Sequence, residues 1–238
     1  MNHRVETVIV GGGQGGLSVS YYLSQQGRDH VVLDGAALPA DAWRNQRWDS
    51  FTLVTPNWQL RLPGYQYAGD APDGFLARDE IVEYLESYAA SFQAPVRFET
   101  RVLAVESLNG GYRVATTAGD YQAANVVIAS GFFQQPKILP VSAELPQSIV
   151  QIHSSDYRNP QQLPPGAVLV VGSGQSGCQI AEELYQSGRK VYLSIGASSG
   201  RAPRRYRGKD IMWWLVNMGF FDRTVDKLPS PQAKFGGN

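Results

Sequence analysis

The sequence predicts an α/β protein built from two similar β-turn-α-β units with a small β-rich insertion. Glu6–Val10 is a short run rich in β-branched residues, as expected for a buried parallel strand. A glycine-rich turn, a helical stretch and the strand Val31–Asp34 follow within the roughly 30 residues that such a unit needs. The same order recurs from the strand Ala167–Val171 onward. The fold class rests on this single duplication, which is not a solenoid repeat.

The stretch between the two units predicts one helix and several strands. Apolar residues at helical spacing predict a helix over Arg78–Phe92. The predicted strands are Val96–Phe98, Val102–Val105, Tyr112–Ala115 and Asn125–Ser130. Residues 40–75 are expected to be irregular, and residues 136–166 form a proline-rich connector.

Composition excludes several classes of protein. The 21 basic and 21 acidic residues give a formal net charge of +0, which provides no electrostatic argument for a nucleic-acid partner. The single cysteine, Cys178, excludes a disulfide framework, a paired-cysteine redox centre and a cysteine-rich metal site, and we expect no metal. The longest apolar stretch, Ile211–Phe221, is too short for a transmembrane segment, and we expect its Trp213 and Trp214 to be buried, with a lid or a membrane-touching helix as the alternative. A cytoplasmic protein is expected.

Each unit carries the pattern Gly-x-Gly-x-x-Gly between its first strand and its helix. The first glycine allows a tight turn, the second lets the backbone approach a diphosphate, and the third allows close packing of helix and strand. The helix N-terminus then offers N–H groups and a positive dipole end to the phosphates. The sequence therefore predicts two FAD/NAD(P)-binding Rossmann-like sites. The residues expected to bind the coenzyme are Gly11, Gly13, Gln14, Gly15 and Gly16 at the first site, and Gly172, Gly174, Gln175, Ser176 and Gly177 at the second.

The residue that ends the second strand of each unit distinguishes the two expected ligands. Asp34 ends this strand in the first unit, and its carboxylate can accept hydrogen bonds from free ribose hydroxyls, which suits FAD or NAD. Ser194 ends it in the second unit, and several arginines follow. Because a hydroxyl and guanidinium groups suit the 2′-phosphate of NADP, we predict a site formed by Ser194 with Arg201 or Arg204. The alternative is a solvated basic loop.

Six stretches in a fixed order carry a resemblance to a known family. They are Val8–Leu17, Arg47–Asn57, Val127–Gly131, His153–Tyr157, Val170–Gly177 and Arg201–Gly208. With them the chain resembles the two-dinucleotide-binding flavoproteins, which include flavin-containing monooxygenases, Baeyer–Villiger monooxygenases, plant YUCCA enzymes and bacterial flavoproteins labelled as involved in potassium transport. The resemblance implies FAD at the first site and NADPH at the second. It also implies that NADPH reduces the flavin, which then uses O₂ to oxygenate a small-molecule substrate.

The resemblance also implies roles for residues outside the glycine turns. Trp43, Arg44, Arg47 and Trp48 match the segment that lies against the flavin side of the pocket, although an aromatic-rich packed loop explains them equally. Asn57 matches an amide that hydrogen-bonds the oxygenated flavin in some members, and Pro-Asn is also a turn signal. Gly131 follows a strand whose backbone approaches FAD in the family.

His153 and Tyr157 fit the second half of the monooxygenase fingerprint Phe-x-Gly-x-x-x-His-x-x-x-(Trp/Tyr). Gln147 and Ile149 replace its phenylalanine and glycine, which weakens the assignment to a subclass, Baeyer–Villiger chemistry above all. We expect His153 to orient a ligand by hydrogen bonding rather than to donate a proton.

These motifs give a predicted division of the chain. Residues 1–145 are expected to form an FAD-binding domain, 146–166 the connector, and 167–238 an NADPH-binding domain. Chains of the resembled family continue further, so we expect an incomplete part of a longer protein that alone binds FAD weakly and oxidises little NADPH. Two other functions stay open, namely an NAD(P)H-dependent flavin reductase or oxidase without oxygenation, and a nucleotide-sensing module linked to ion transport. The sequence predicts no particular protein partner.

Overall fold

The computed structural model describes residues 3–132, 135–196, 203–224 and 227. The chain divides into two compact units that alternate along the sequence. Unit 1 comprises Met1–Arg47, Leu60–Tyr67 and Arg78–Asp156, and unit 2 comprises Trp48–Gln59, Ala68–Ala77 and Tyr157–Asn238. The contiguous division predicted from the sequence does not include this alternation.

Unit 1 contains a six-stranded sheet. Its elements are β1 (His3–Val10), α1 (Gln14–Gln25), β2 (His30–Leu33), α2 (Asp41–Asn45), β3 (Arg61–Leu62), β4 (Tyr65–Gln66), α3 (Arg78–Ser91), β5 (Val96–Arg97), β6 (Val102–Leu108), β7 (Gly111–Thr116) and β8 (Tyr121–Ile128). The strand order in the sheet is β5-β2-β1-β8-β7-β6. The first four strands are parallel, and β7 and β6 continue the sheet in antiparallel pairing. This arrangement confirms the predicted α/β class.

β1 lies inside this sheet between β2 and β8, and its β-branched residues are buried there. Val8 and Ile9 are fully buried. The register pairs Val8 with Val31 of β2 on one side and with Val126 of β8 on the other. The core cluster around it consists of Val8, Val31, Leu33, Val114 and Ala123.

The helices of unit 1 follow their sequence signals. α1 is followed by Gly27 in the left-handed region, with φ of 62°, as its predicted stop. α3 confirms the helix predicted over Arg78–Phe92 to within one residue. Tyr88 of α3 is fully buried, and burial raises its pKa to about 12. It packs near Tyr21, Tyr65 and Phe92.

The structure corrects two sequence predictions in unit 1. The stretch 40–75 is not wholly irregular, since it contains α2 and the antiparallel pair β3–β4. Gly64 stands between β3 and β4 with φ of 69°, and an added Cβ there would lie 2.1 Å from the Tyr21 hydroxyl oxygen. β8 begins at Tyr121 rather than at Asn125, because Tyr121–Ala123 pair with β7 as well as with β1.

Unit 2 contains a smaller parallel sheet. Its elements are β9 (Val168–Val171), α4 (Gln175–Gln186), β10 (Val191–Ser194), β11 (Arg205–Tyr206), β12 (Lys209–Asp210) and α5 (Ile211–Asn217). β9 and β10 pair in parallel, and α4 packs on one face through Ile180 and Leu184. On the strands' other face Leu169, Val171 and Tyr192 are 61%, 60% and 51% exposed. Parallel sheets are usually covered on both faces, and the described residues cover this pair of strands on one face.

The core of unit 2 joins residues that are distant in sequence. Trp48, Tyr157, Ile180 and Leu184 form one buried cluster. The Tyr157 hydroxyl donates a 2.6 Å hydrogen bond to Glu183 Oε2 on α4. Burial, followed by the hydrogen bond and charge of Glu183, raises the pKa of Tyr157 above its usual range.

The apolar stretch Ile211–Phe221 does not pack as the sequence predicts. α5 has seven residues and buries none of them fully, and Trp213 and Trp214 are half-buried. Among the described residues, no helix is long and apolar enough to cross a bilayer. The same residues contain no group of three or more His, Cys, Asp or Glu side chains that could hold a metal ion.

The Tyr157–Glu183 hydrogen bond gives a prediction about stability. Tyr157→Phe should lower the free energy of unfolding by about 1.5–3 kcal/mol at neutral pH, because it removes a buried hydrogen bond to a charged group. The folded state holds the phenol proton more tightly than the unfolded state, so this stability is present below pH 10 and is lost as the pH rises above it. Denaturant unfolding should therefore show the difference between the two proteins narrowing above pH 10.

Tyr185→Phe is the matched control, because Tyr185 lies on α4, the helix that carries Glu183, and its side chain is 74% exposed. This variant should leave the free energy of unfolding unchanged at neutral pH and above pH 10. Equal losses in the two variants would contradict the assignment.

Candidate functional site

The first glycine turn is closed to side chains at two positions. Gly11 has φ of 106°, and an added Cβ would lie 2.5 Å from the carbonyl oxygen of Ala129. A Cβ at Gly16 would lie 1.9 Å from the carbonyl oxygen of Gly11. These two positions therefore require glycine for the turn and for the packing of α1 on β1.

The second glycine turn repeats the φ of the first glycine and the close contact at the third, but no heavy atom among the described residues lies within 4 Å of a Cβ at its first glycine. Gly172 also has φ of 106°, and a Cβ at Gly177 would again lie 1.9 Å from the carbonyl oxygen of the first glycine. The N–H of Gly11 donates to Leu33 O at 2.8 Å, and the N–H of Gly172 donates to Ser194 O at 3.0 Å. Two turns of the same shape therefore stand between strand and helix, as predicted.

The middle glycine of each turn faces open space. No heavy atom lies within 4 Å of a Cβ built at Gly13 or at Gly174. Both residues are N-caps with φ of −81° and −69°, and no side chain caps either helix. The predicted ligands in the following first turns (Gln14, Gly15, Gln175 and Ser176) are exposed. Each helix thus presents an uncapped N-terminus beside open space that a ligand could fill.

Asp34 is held beside the first turn. Its Oδ2 accepts the N–H of Gly12 at 2.7 Å, and its Oδ1 accepts the N–H of Ala36 at 2.9 Å. A Cβ at Gly12 would lie 2.9 Å from Asp34 Oδ2, so the glycine makes room for the carboxylate. Each carboxylate oxygen keeps a further lone pair that can accept a hydrogen bond from a hydroxyl group.

Strand register corrects the counterpart of Asp34 in unit 2. Val10 pairs with Leu33, and Val171 pairs with Ser194, so Ser194 corresponds to Leu33. The residue that matches Asp34 is Ile195, and the residue that matches Gly12 is Ser173. Sequence spacing could have revealed this, because Asp34 lies 22 residues after Gly12 and the same spacing from Ser173 leads to Ile195. A phosphate-binding role for Ser194 stays a prediction.

Gly131 follows β8 close to the first turn. The N–H of Ala129 donates to Val10 O at 2.8 Å, and Ser130 Cα would lie 3.2 Å from a Cβ at Gly11. Gly131 itself has φ of 81° and is exposed. Sequence reasoning missed the contact that Ala129 makes with the turn.

The four residues predicted for the flavin side fall into different units. Arg44 donates to Pro39 O at 3.0 Å and forms an ion pair with Glu86 of α3. The Arg47 guanidinium lies 5.1 Å from the centre of the Trp43 ring, and burial lowers its pKa. These three residues belong to unit 1. They brace the segment around α2, and their contact with FAD stays a prediction.

Trp48 belongs to unit 2 and is 1% exposed. Its ring meets Phe51 edge-to-face at 5.0 Å and packs in the core with Tyr157. Within the described part of the chain, its buried Nε1 has no hydrogen-bond acceptor. The structure therefore gives Trp48 a packing role.

The Asn57 side chain braces a loop of unit 2. Its Nδ2 donates to Ala71 O at 2.9 Å, and its Oδ1 accepts the N–H of Leu76 at 2.7 Å. The residue is 2% exposed. One Nδ2 hydrogen remains for any further acceptor, and the flavin contact stays a prediction.

His153 sits in a tight turn of unit 1. Its Nδ1 accepts the backbone N–H of Ser155 at 3.2 Å, and Asp156 N–H donates to His153 O at 2.9 Å. Because a backbone N–H can only donate, the neutral ring carries its proton on Nε2. This tautomer is the one that an orienting hydrogen-bond donor needs.

Of the two arginines predicted to bind the 2′-phosphate, only Arg204 lies within the described residues. Its guanidinium carbon lies 3.8 Å from the centre of the Phe75 ring, and both residues belong to unit 2. Stacking leaves the N–H edges of a guanidinium available to an anion. Arg201 lies outside the described residues.

A cavity of about 450 Å³ in unit 1 is unrelated to the glycine turns. Its lining includes Arg4, Asp29, Gly110 and Gln122 and no residue of the first turn. The candidate coenzyme sites are open backbone cradles rather than enclosed cavities. Geometry at the glycines therefore locates them better than cavity volume does.

Comparison with known proteins assigns the family. Residues 8–209 match the family described as pyridine nucleotide-disulphide oxidoreductase. The chain belongs to this family. The family name refers to disulphides, but these 238 residues contain one cysteine, Cys178, and therefore no cysteine pair.

Curated relatives and a solved structure agree with this family assignment. An uncharacterized CzcO-like oxidoreductase of Geobacillus kaustophilus is 41% identical over 226 residues, which are 95% of this chain and 64% of that protein. Indole-3-pyruvate monooxygenase YUCCA1 of Oryza sativa subsp. japonica is 28% identical, over 84% of this chain and 50% of its own. A flavin-containing monooxygenase from Stenotrophomonas maltophilia superposes with a TM-score of 0.75 at 27% identity, over 95% of this chain and 66% of its own.

The chain thus spans less than two thirds of the length of these proteins. The resemblance to flavoproteins and the Rossmann-like fold class predicted from the sequence are confirmed.

The contact between the first and third glycines gives a prediction about folding. Gly16→Ala should lower the free energy of unfolding by about 1–3 kcal/mol or more, because its Cβ would overlap backbone that cannot move aside. Gly13→Ala is the matched control, since its Cβ meets nothing and its φ suits alanine. Denaturant unfolding of both variants without coenzyme tests this. A loss at Gly13→Ala equal to that at Gly16→Ala would contradict it.

Proposed function

We propose that this chain carries the FAD site and the NADPH site of a flavin-dependent oxidoreductase that oxygenates a small molecule. The observation that carries the proposal is the identity of the two glycine turns in geometry. In both turns the first glycine has φ of 106°, the third has no room for a Cβ, and the middle glycine borders open space at an uncapped helix. This arrangement fits the diphosphate of a dinucleotide.

Asp34 supports FAD rather than NADP at the first turn. Its carboxylate is fixed by the N–H groups of Gly12 and Ala36, and it keeps lone pairs for ribose hydroxyls. A 2′-phosphate at this place would meet a negative charge across a short distance, which is unfavourable. The adenosine ribose of FAD carries free hydroxyls and suits the site.

The second turn lacks this charge. Ile195 stands where Asp34 stands in the first unit, so no carboxylate would repel a 2′-phosphate there. Arg204 supplies a positive charge in the same unit. These two features support NADPH at the second turn, with Ser194 and Arg201 as further predicted ligands.

Bound FAD and NADPH supply hydride transfer and the activation of O₂. The chain's own part is to hold the two diphosphates at the N-termini of α1 and α4 and to orient ligands through side chains such as His153. The monooxygenases among the relatives support oxygenation over simple flavin reduction. The substrate class is a small molecule, and the site of action is proposed to be cytoplasmic.

Single substitutions at the middle glycines test the two sites separately. Gly13→Ala should weaken FAD binding about 10- to 100-fold, because its methyl group displaces a phosphate from charge-assisted hydrogen bonds worth about 1.5–3 kcal/mol. Gly174→Ala should weaken NADPH binding to the same degree and leave FAD binding unchanged. Fluorescence titration of the 238-residue chain with each coenzyme measures both affinities, including weak ones.

Each variant is the control for the other. In the wild type with FAD bound, NADPH added without oxygen should bleach the visible flavin absorbance, and Gly174→Ala should prevent this. If both variants bound both coenzymes as the wild type does, the turns would not hold the diphosphates. A wild-type chain that binds neither coenzyme would overturn the proposal as well.

The choice of coenzyme at the second turn can be tested by introducing there the aspartate and glycine found at the first turn. The double substitution Ser173→Gly and Ile195→Asp introduces the carboxylate and the space that Asp34 requires beside Gly12. NADPH affinity should fall at least about tenfold while NADH affinity is kept, because the new charge opposes only the 2′-phosphate. Titration with both coenzymes gives the ratio.

The matched control is Ser173→Gly with Ile195→Asn, which has nearly the same shape and no charge. It should keep the preference for NADPH. The same ratio in the Asp and Asn variants would show that Ile195 does not face the 2′-position.

A further inference from the structure

Residues 203–224 of unit 2 combine positive charge with exposed apolar side chains. This basic-aromatic segment contains β11, β12, α5 and a short 3₁₀ turn over Phe220–Asp222. It has five cationic residues and two acidic ones, whereas the whole chain has a net charge of +0. The cations are Arg204, Arg205, Arg207, Lys209 and Arg223, and the acids are Asp210 and Asp222. Positive charge is therefore concentrated in this short part of an otherwise balanced protein.

The apolar residues of the basic-aromatic segment are poorly buried. Val216, Met218 and Phe221 are 41%, 64% and 58% exposed. α5 buries none of its residues fully. Large apolar side chains exposed close together in sequence mark an interaction surface rather than a core.

The aromatic rings of this segment pair with its cations. The Arg207 guanidinium lies 5.4 Å from the Tyr206 ring, and the Lys209 ammonium lies 5.8 Å from the Trp213 ring. Trp214 Nε1 donates to Tyr206 O at 2.9 Å. Tryptophan and tyrosine rings with one wet and one apolar side, next to lysine and arginine, are the residues that anchor proteins at the boundary between lipid headgroups and acyl chains.

We propose that the basic-aromatic segment docks on the surface of a bilayer that contains anionic phospholipid. Arg205, Arg207 and Lys209 attract the headgroups, and Val216, Met218 and Phe221 enter the boundary with the acyl chains. The segment lies on the bilayer and does not cross it, because α5 has seven residues. A second copy of the chain is a poorer partner for this surface, since two such segments would bring like charges together.

Vesicle binding tests the proposal with the 238-residue chain. Sedimentation with vesicles of phosphatidylcholine and phosphatidylserine should carry the protein down, and vesicles of phosphatidylcholine alone should bind it at least about tenfold more weakly. The triple substitution Arg205→Gln, Arg207→Gln and Lys209→Gln should weaken binding about 100-fold, because each cation near an anionic surface contributes about fivefold. Met218→Ser with Phe221→Ser should weaken it at least about tenfold.

A matched control removes three exposed cations elsewhere. Arg4→Gln, Arg97→Gln and Lys137→Gln change the net charge equally and should leave binding close to that of the wild type. Circular dichroism melting shows whether each variant is folded, and only folded variants are compared.

Several results would overturn the proposal. Equal loss in the control triple variant would show that net charge alone drives binding. Unchanged binding by Met218→Ser with Phe221→Ser would show a general polyanion site rather than a lipid boundary. Failure to bind anionic vesicles, or a dimer in size-exclusion chromatography that the substitutions in the segment dissociate, would also reject the bilayer as the occupant.

Discussion

The close approach of each helix to its preceding turn is the constraint on which both units depend. A carbonyl oxygen of the turn occupies the space where the third glycine, Gly16 or Gly177, would carry a side chain. This approach directs the helix axis at the end of the strand, so that the first free N–H groups converge in front of it. The position of the predicted diphosphates, the choice of glycine and the packing of helix on sheet all follow from one short backbone contact.

Local patterns were sufficient to predict the units, and long-range contacts explain the predictions that failed. Strand, turn and helix signals of each unit are contiguous in sequence, so β1, α1, β9 and α4 could be predicted. The start of β8 depends on pairing with β7, and the packing of Trp48 depends on residues more than 100 positions away, which no local pattern encodes. The prediction of Ser194 as the counterpart of Asp34 is wrong by one residue because it counts from the strand end, which is poorly defined in sequence, whereas the spacing from the glycine turn and the pairing register both give Ile195.

Under the proposed function, affinity and selectivity for a coenzyme reside in different residues of the same unit. The turn would hold the diphosphate through its backbone, which has the same φ at the first glycine and the same contact at the third glycine in both units. The residue just beyond the second strand differs, with a carboxylate at Asp34 and an alkyl chain at Ile195. Asp34 also holds the N–H of Gly12, so the acid and the adjacent glycine form a matched pair. A change of coenzyme in this architecture therefore requires a change at two positions together.

The alternation of the two units along the chain has a consequence for modularity. Trp48 lies far upstream of α4, yet it fills the centre of the core beneath that helix. A fragment that begins at the proline-rich connector lacks Trp48. If it were fused to another protein, its core would contain a cavity where this ring packs. To keep this core complete, the upstream loop that contributes Trp48 would have to be transferred together with the downstream half.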